Sequence, residues 1–126
     1  MLFRSLARSL VPVVAPLGID EEGQVYNVNA DTVACALAEA LSARQLLFVT
    51  GAGAVRRDAD DPTSRIDICD TSTADLGVAE GWIEGGMRVK VETALDALDG
   101  PVGEVHICAP GDLLSRSQAT EVVLET

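Results

Sequence analysis

Aromatic side chains are nearly missing from this 126-residue sequence, which holds one Trp, one Tyr and two Phe. Its core must therefore be packed from Ala, Val, Leu and Ile. That set suits small-residue helices lying close on a buried, Val-rich sheet. Positive charge is scarce as well: nine Lys and Arg stand against 20 Asp and Glu, for a formal net charge of −11 and a pI near 4.2. Phosphate backbones and anionic lipid surfaces repel such a chain, which argues against nucleic acid and membrane as partners. The acids are dispersed, so most of them read as a solvated surface.

Cysteine is sparse and odd in number. Cys35, Cys69 and Cys108 form no C-x-x-C pair, and Cys35 and Cys108 sit in apolar runs as small buried hydrophobes. A reducing cytoplasm fits that usage. The single histidine, His106, alternates with Val105 and Ile107 and reads as a strand residue. With no second histidine and no clustered carboxylates, no metal centre is expected. No Ser or Cys has a base beside it in sequence, so nucleophilic catalysis has little support. Long apolar runs are absent. The opening MLFRSLARSLVPVVAPLG carries Arg and Ser but no acid, which mimics a transit peptide, yet its apolar part is too short to cross a bilayer. A short helix followed by a buried strand accounts for it better.

What is present reads as one α/β domain over residues 1–126. Hydrophobic residues make up 48% of the chain, enough for a single core at this length. Leu2, Leu6 and Leu10 are spaced by four and predict a helix over residues 2–9. The β-branched run 11–17 predicts a strand, 18–24 a turn, and VYNV a short extended piece. From Ala30 to about Ala43, Val33, Leu37 and Leu41 mark an amphipathic helix, with Asn29 as its N-cap and Asp31 in its first turn. Residues 45–50 form the next strand and 56–65 a polar loop. Ser72 or Thr73 can cap a short helix running to about Glu80. A further helix then carries Val91, Ala94, Leu95 and Leu98 on one face and stops at Gly100 and Pro101. EVHICA and TEVVL close the sheet. Strand–helix alternation predicts a largely parallel sheet.

Three stretches hold chemistry. In YNVNAD, a cap explains Asn29 and a favourable first-turn charge explains Asp31, but Asn27 is left over. An extended Asn-x-Asn-x-Asp points alternate side chains one way, toward the strand ends where α/β sheets bind ligands. In GGMRVK, two glycines open a helix whose first N–H groups suit an anion, with Lys90 placed early enough for its charge to oppose the dipole. VTGAGAV is a small-residue turn leaving a strand, either a close approach for a nucleotide or simply a tight exit. No complete phosphate-loop motif occurs.

Together, PVVAPLGIDEEGQVYNVNADTVACALAEALSARQLLFVT and GWIEGGMRVKVETALDAL resemble the amino-acid kinase family, and within it the acetylglutamate kinases, with the aminoadipate kinases close behind. The resemblance implies a three-layer αβα sandwich that moves the γ-phosphate of ATP, carried with Mg2+, to the side-chain carboxylate of N-acetylglutamate. By the same resemblance Asn27 binds the substrate α-carboxylate, Asp31 organises catalytic lysines, and Lys90 stabilises charge on the transferred phosphoryl group. Gly51, Ala52, Gly53, Ala54, Val55 and Arg56, with Trp82, Ile83 and Glu84, match the segments around the nucleotide. Only the C-terminal, nucleotide-binding half of the family pattern is covered. The family's Thr-Asp-Val-x-Gly-Val reads here as Thr50, Gly51, Ala52, Gly53, Ala54, Val55, without the aspartate, and its late Gly-Thr reads as Ala119 and Thr120. Two readings follow: a kinase half that works with a complementary N-terminal half or as a homo-oligomer, or a non-catalytic binding or interaction module.

Overall fold

The computed structural model describes residues 2–125, and the chain falls into two units, 1–30 and 31–126. In the first, helix α1 (Leu2–Ala7) is followed by a hairpin of β1 (Leu17–Ile19) and β2 (Val25–Asn27), paired antiparallel with Leu17 opposite Asn27. The Asp20 carboxylate organises the turn, accepting from the N–H groups of Glu22 and Gln24 and from the Tyr26 hydroxyl at 2.8 Å. The strand expected over residues 11–17 does not form before Leu17. Val11 and Val13 are 90% and 97% exposed. Pro12 and Pro16 remove two backbone donors from the run, and β-branched residues make a strand only where a partner edge receives them.

All of α2 (Ala30–Ala40) after its first residue belongs to the second unit. Its buried residues are Cys35 and Ala38, with Ala34 packed beside them. The expected face of Val33, Leu37 and Leu41 is only half-buried. The small side chains let the helix lie close, and the larger ones flank that contact. Strand β3 (Gln45–Val49) follows, then a loop, the two-residue β4 (Ile68–Cys69), α3 (Thr71–Glu80), α4 (Gly85–Asp99), β5 (Glu104–Cys108) and β6 (Thr120–Val122).

The sheet order is β3-β5-β6-β4. β3 runs parallel to β5 and β4 parallel to β6, while β5 and β6 are antiparallel. This is a mixed α/β fold with a mostly parallel sheet flanked by helices. Strand alternation builds its core: Leu46 and Phe48 of β3 and Val105 and Ile107 of β5 are buried together with Val91, Ala94 and Ala97 of α4. Each large member contributes about 1.5–3 kcal/mol by leaving water. Gly103 lets two backbones meet, since a Cβ there would lie 2.7 Å from the Arg44 carbonyl oxygen.

Asp70, not Ser72 or Thr73, caps α3: its carboxylate accepts from the Thr73 N–H at 2.8 Å and the Ser72 hydroxyl at 3.0 Å. An extended residue just before the first turn is better placed to reach those donors than residues already inside it. Among the described residues no helix is long and apolar enough to cross a membrane.

Candidate active site

Lys90 and Asp31 meet. The Lys90 ammonium donates to the Asp31 carboxylate at 3.0 Å, joining α4 to the first turn of α2 over a separation of 59 residues, and both side chains are less than one-fifth exposed. Lys90 is the sixth residue of α4 (Gly85–Asp99), so it lies in the second turn, just past the first turn where its charge would most oppose the dipole. Asp31 supplies the charge that justifies it. Asn27 ends β2 in the first unit, exposed and opposite Leu17.

A cleft of about 790 Å³ in the second unit opens between the loop after β3 and the junction of α3 and α4. Gly51, Ala52, Ala54, Arg56, Trp82 and Glu84 line it. Val55 and Ile83 are 0% and 2% exposed and belong to the core behind it. Gly53 is buried too, at φ +74, with its backbone beside Ala109. Met87 also lines the cleft. Residues three apart share a helix face, so Lys90 lies one turn beyond Met87 on the same side of α4.

Three features of this site have no short-range signal in sequence. Thr120, wholly buried in β6, accepts from the Val55 N–H at 2.9 Å and donates to the Ile66 carbonyl at 2.6 Å, fixing both ends of the cleft loop. The Trp82 indole is set from two sides. Its N–H donates to Glu80 at 3.0 Å, and its edge lies where Gly77 of α3 has no side chain, since a Cβ there would come within 2.8 Å of the ring. The Arg57 guanidinium sits over the indole, 5.7 Å from the ring centroid. The match of Thr120 to the threonine of the family's late Gly-Thr pair, with Ala119 in place of the glycine, is the one pointer to it in sequence.

The cleft is electrostatically mixed, with Arg56 and Arg57 facing Asp58, Glu80 and Glu84. Arg56 donates weakly to the Ala59 carbonyl at 3.4 Å, while its buried Nε–H has no partner among the described residues. That atom is shielded from solvent, so the unpaired donor is a local cost within the cleft wall. At Gly51 a Cβ would meet nothing within 4 Å, so the space for a larger residue is open. The three thiols are free and buried. Burial pushes Cys35 and Cys69 up to about 11 and raises Cys108, so all three stay protonated and non-nucleophilic near neutral pH. Among the described residues no group of three or more His, Cys, Asp or Glu converges to hold a metal ion. His106, in β5, lies between Leu47 and Glu121 in register and 3.6 Å from the Glu104 carboxylate.

The amino acid kinase family matches residues 2–109, and the chain belongs to that family. It is 45% identical over 107 residues to the acetylglutamate kinase of Heliobacterium modesticaldum, covering 84% of this chain and 36% of that protein. With the acetylglutamate kinase of Solidesulfovibrio magneticus it shares 40% identity over 126 residues, 94% of this chain and 41% of the relative. Among solved structures, smu.665 from Streptococcus mutans UA159 superposes with a TM-score of 0.78 at 24% identity, over 97% of this chain and 46% of that one. That likeness shows the fold alone. The chain thus spans about two-fifths of the length of the curated relatives it matches.

Proposed function

We propose that the chain is the nucleotide-binding half of an acetylglutamate kinase. In this reading it transfers the ATP γ-phosphate to the side-chain carboxylate of N-acetylglutamate, a step of arginine biosynthesis, in the cytoplasm. The observation that carries it is the Lys90–Asp31 ion pair one helical turn from the 790 Å³ cleft. Phosphoryl transfer asks a protein chiefly for positioning and for positive charge at the moving group. Lys90, held by Asp31, supplies a fixed ammonium. Gly51, Ala52, Ala54 and Arg56, with Trp82 and Glu84, form the seat of the nucleotide in this reading, with Val55 and Ile83 packed behind it. Asn27 takes the α-carboxylate of the acceptor substrate. Mg2+ carried by ATP would supply further positive charge on the phosphates.

A complementary N-terminal half, or another copy in a homo-oligomer, completes the acceptor pocket. The chain alone binds nucleotide but does not turn over. Calorimetric titration with Mg-ATP, then with N-acetylglutamate, tests this: saturable ATP binding supports it, and its absence refutes the nucleotide reading.

Gly51 favours a second reading. Where the resemblance expects an aspartate the cleft has an open position, as in a module that kept the fold and a small-molecule site but lost the reaction. Binding of ATP without turnover, even with an N-terminal half supplied, selects this alternative.

A further inference from the structure

We infer that Arg65 is a positioning residue that sets the cleft loop from behind, an inference that rests on the nucleotide reading of the cleft. Arg65 does not itself line the cleft. Its side chain is largely buried, which an arginine tolerates only when its donors are used. The guanidinium donates to the Ala119 carbonyl at 2.9 Å and, through its other arm, pairs with Asp67 at 2.7 Å. The first contact reaches 54 residues along the chain, to the residue just before β6. The second is local and solvated, since the Asp67 side chain is well exposed.

The backbone of Arg65 is meanwhile bridged antiparallel to that of Arg56, a cleft-lining residue. Two bonds flank the bridge. The Ile66 N–H donates to the Val55 carbonyl at 2.9 Å, and the Arg57 N–H to the Ser64 carbonyl at 3.1 Å. With the Thr120 hydroxyl set between Val55 and Ile66, these contacts close a ring that runs from Val55 through Ile66, Arg65, Ala119 and Thr120 back to Val55. Ala54 and Arg56 of the cleft wall flank Val55 in the chain and take their places from it. Hydrogen bonds in such a ring hold each member through the others, so one cut loosens the rest. Arg65 supplies the ring's one charged donor, the stronger kind of hydrogen bond. Removing it deletes no group that lines the cleft and changes only how firmly Ala54 and Arg56 are held.

Calorimetric titration with Mg-ATP, read beside amide exchange at Val55 and Arg57, tests this. Arg65→Ala should speed exchange at both amides and weaken ATP binding by roughly 2- to 30-fold, at a temperature where the variant is folded. Asp67→Ala removes only the solvated pair and should change neither. Arg65→Lys can still donate to the Ala119 carbonyl and should recover part of the lost affinity. Should Arg65→Ala fail to fold, Arg65→Met keeps the buried stem without a donor and takes its place with the same expectation. An Arg65 variant that melts earlier yet binds ATP like the wild type makes the residue structural only and overturns this inference alone. An equal loss of affinity in Asp67→Ala overturns it too, by moving the effect to the ion pair. No ATP binding by the wild-type chain overturns the nucleotide reading and this inference with it.

Discussion

Lys90 and Asp31 form a part-buried ion pair, N–O 3.0 Å, that fastens the second turn of α4 to the first turn of α2. A lysine read from sequence only for its charge near a helix start, and by resemblance for phosphate, is therefore also a tie between two helices, and its removal has a structural cost. Lys90→Ala should destabilise by about 1–2 kcal/mol, between the values for exposed and fully buried pairs. Thermal melts measure it. Asp31→Asn should cost less, because a neutral amide can still accept from the ammonium. If the lysine also meets phosphate, Lys90→Ala weakens Mg-ATP binding at temperatures where it remains folded. Unchanged ATP affinity would confine Lys90 to its structural role.

Gly51 offers a gain-of-function test. No atom lies within 4 Å of a Cβ built there, and its backbone is outside the left-handed region that only glycine tolerates. Gly51→Asp should leave the melting temperature within about the ±0.5 kcal/mol typical of surface changes. In the kinase reading it should also tighten Mg-ATP binding. Weaker binding would show that the cleft has adapted to the glycine.

Thr120 holds the cleft loop with one hydroxyl. Thr120→Val keeps the shape but leaves the Val55 N–H and the Ile66 carbonyl without that partner in a dry site. The expected loss is about 1–3 kcal/mol, seen in denaturant melts, with accelerated amide exchange at Val55. Unaltered exchange there would mean that the backbone finds another partner.

Acid should loosen α3. Hydrogen bonds from the Thr73 hydroxyl and N–H, and then from Ser72, hold the Asp70 carboxyl below its usual value. A carboxyl lowered in the folded state contributes stability that is present above its unfolded pKa of about 4 and is lost as pH falls through the lower folded value. Asp70→Asn retains a capping side chain but cannot titrate. Its α3 amide protection should vary less between pH 5 and pH 2 than that of the wild type. Identical acid profiles would remove Asp70 as the cause.

Much of this architecture is written locally. The α2 and α4 helices and strands β3 and β5 announce themselves by periodicity and by stops such as Gly100. The segments lining the cleft were found through resemblance to the family. What escaped depends on distant partners. The two-residue β4 is too short to show alternation. The run at 11–17 has strand composition, but a strand needs an edge, and composition does not say whether one is available. Asp70 won the cap from Ser72 and Thr73 by one or two positions, within the ordinary uncertainty of a helix boundary. Thr120 bonds to Val55 and Ile66 across separations of 65 and 54 residues. Nothing in a linear pattern links a threonine in a closing strand to a loop after β3.

The most direct measurement of the central claim is a coupled ADP-release assay with Mg-ATP and N-acetylglutamate. The chain is assayed alone and then mixed with the N-terminal half of an acetylglutamate kinase. Losing one preorganised donor costs about 3–4 kcal/mol in a transition state, and without its complement the chain lacks several, together with most of the acceptor pocket. Background ADP release is expected from either half alone and substrate-dependent release from the mixture, abolished by Lys90→Ala. Turnover by the chain alone would contradict the assigned division of labour. No release from a mixture whose halves demonstrably bind each other would contradict the assignment as a kinase half.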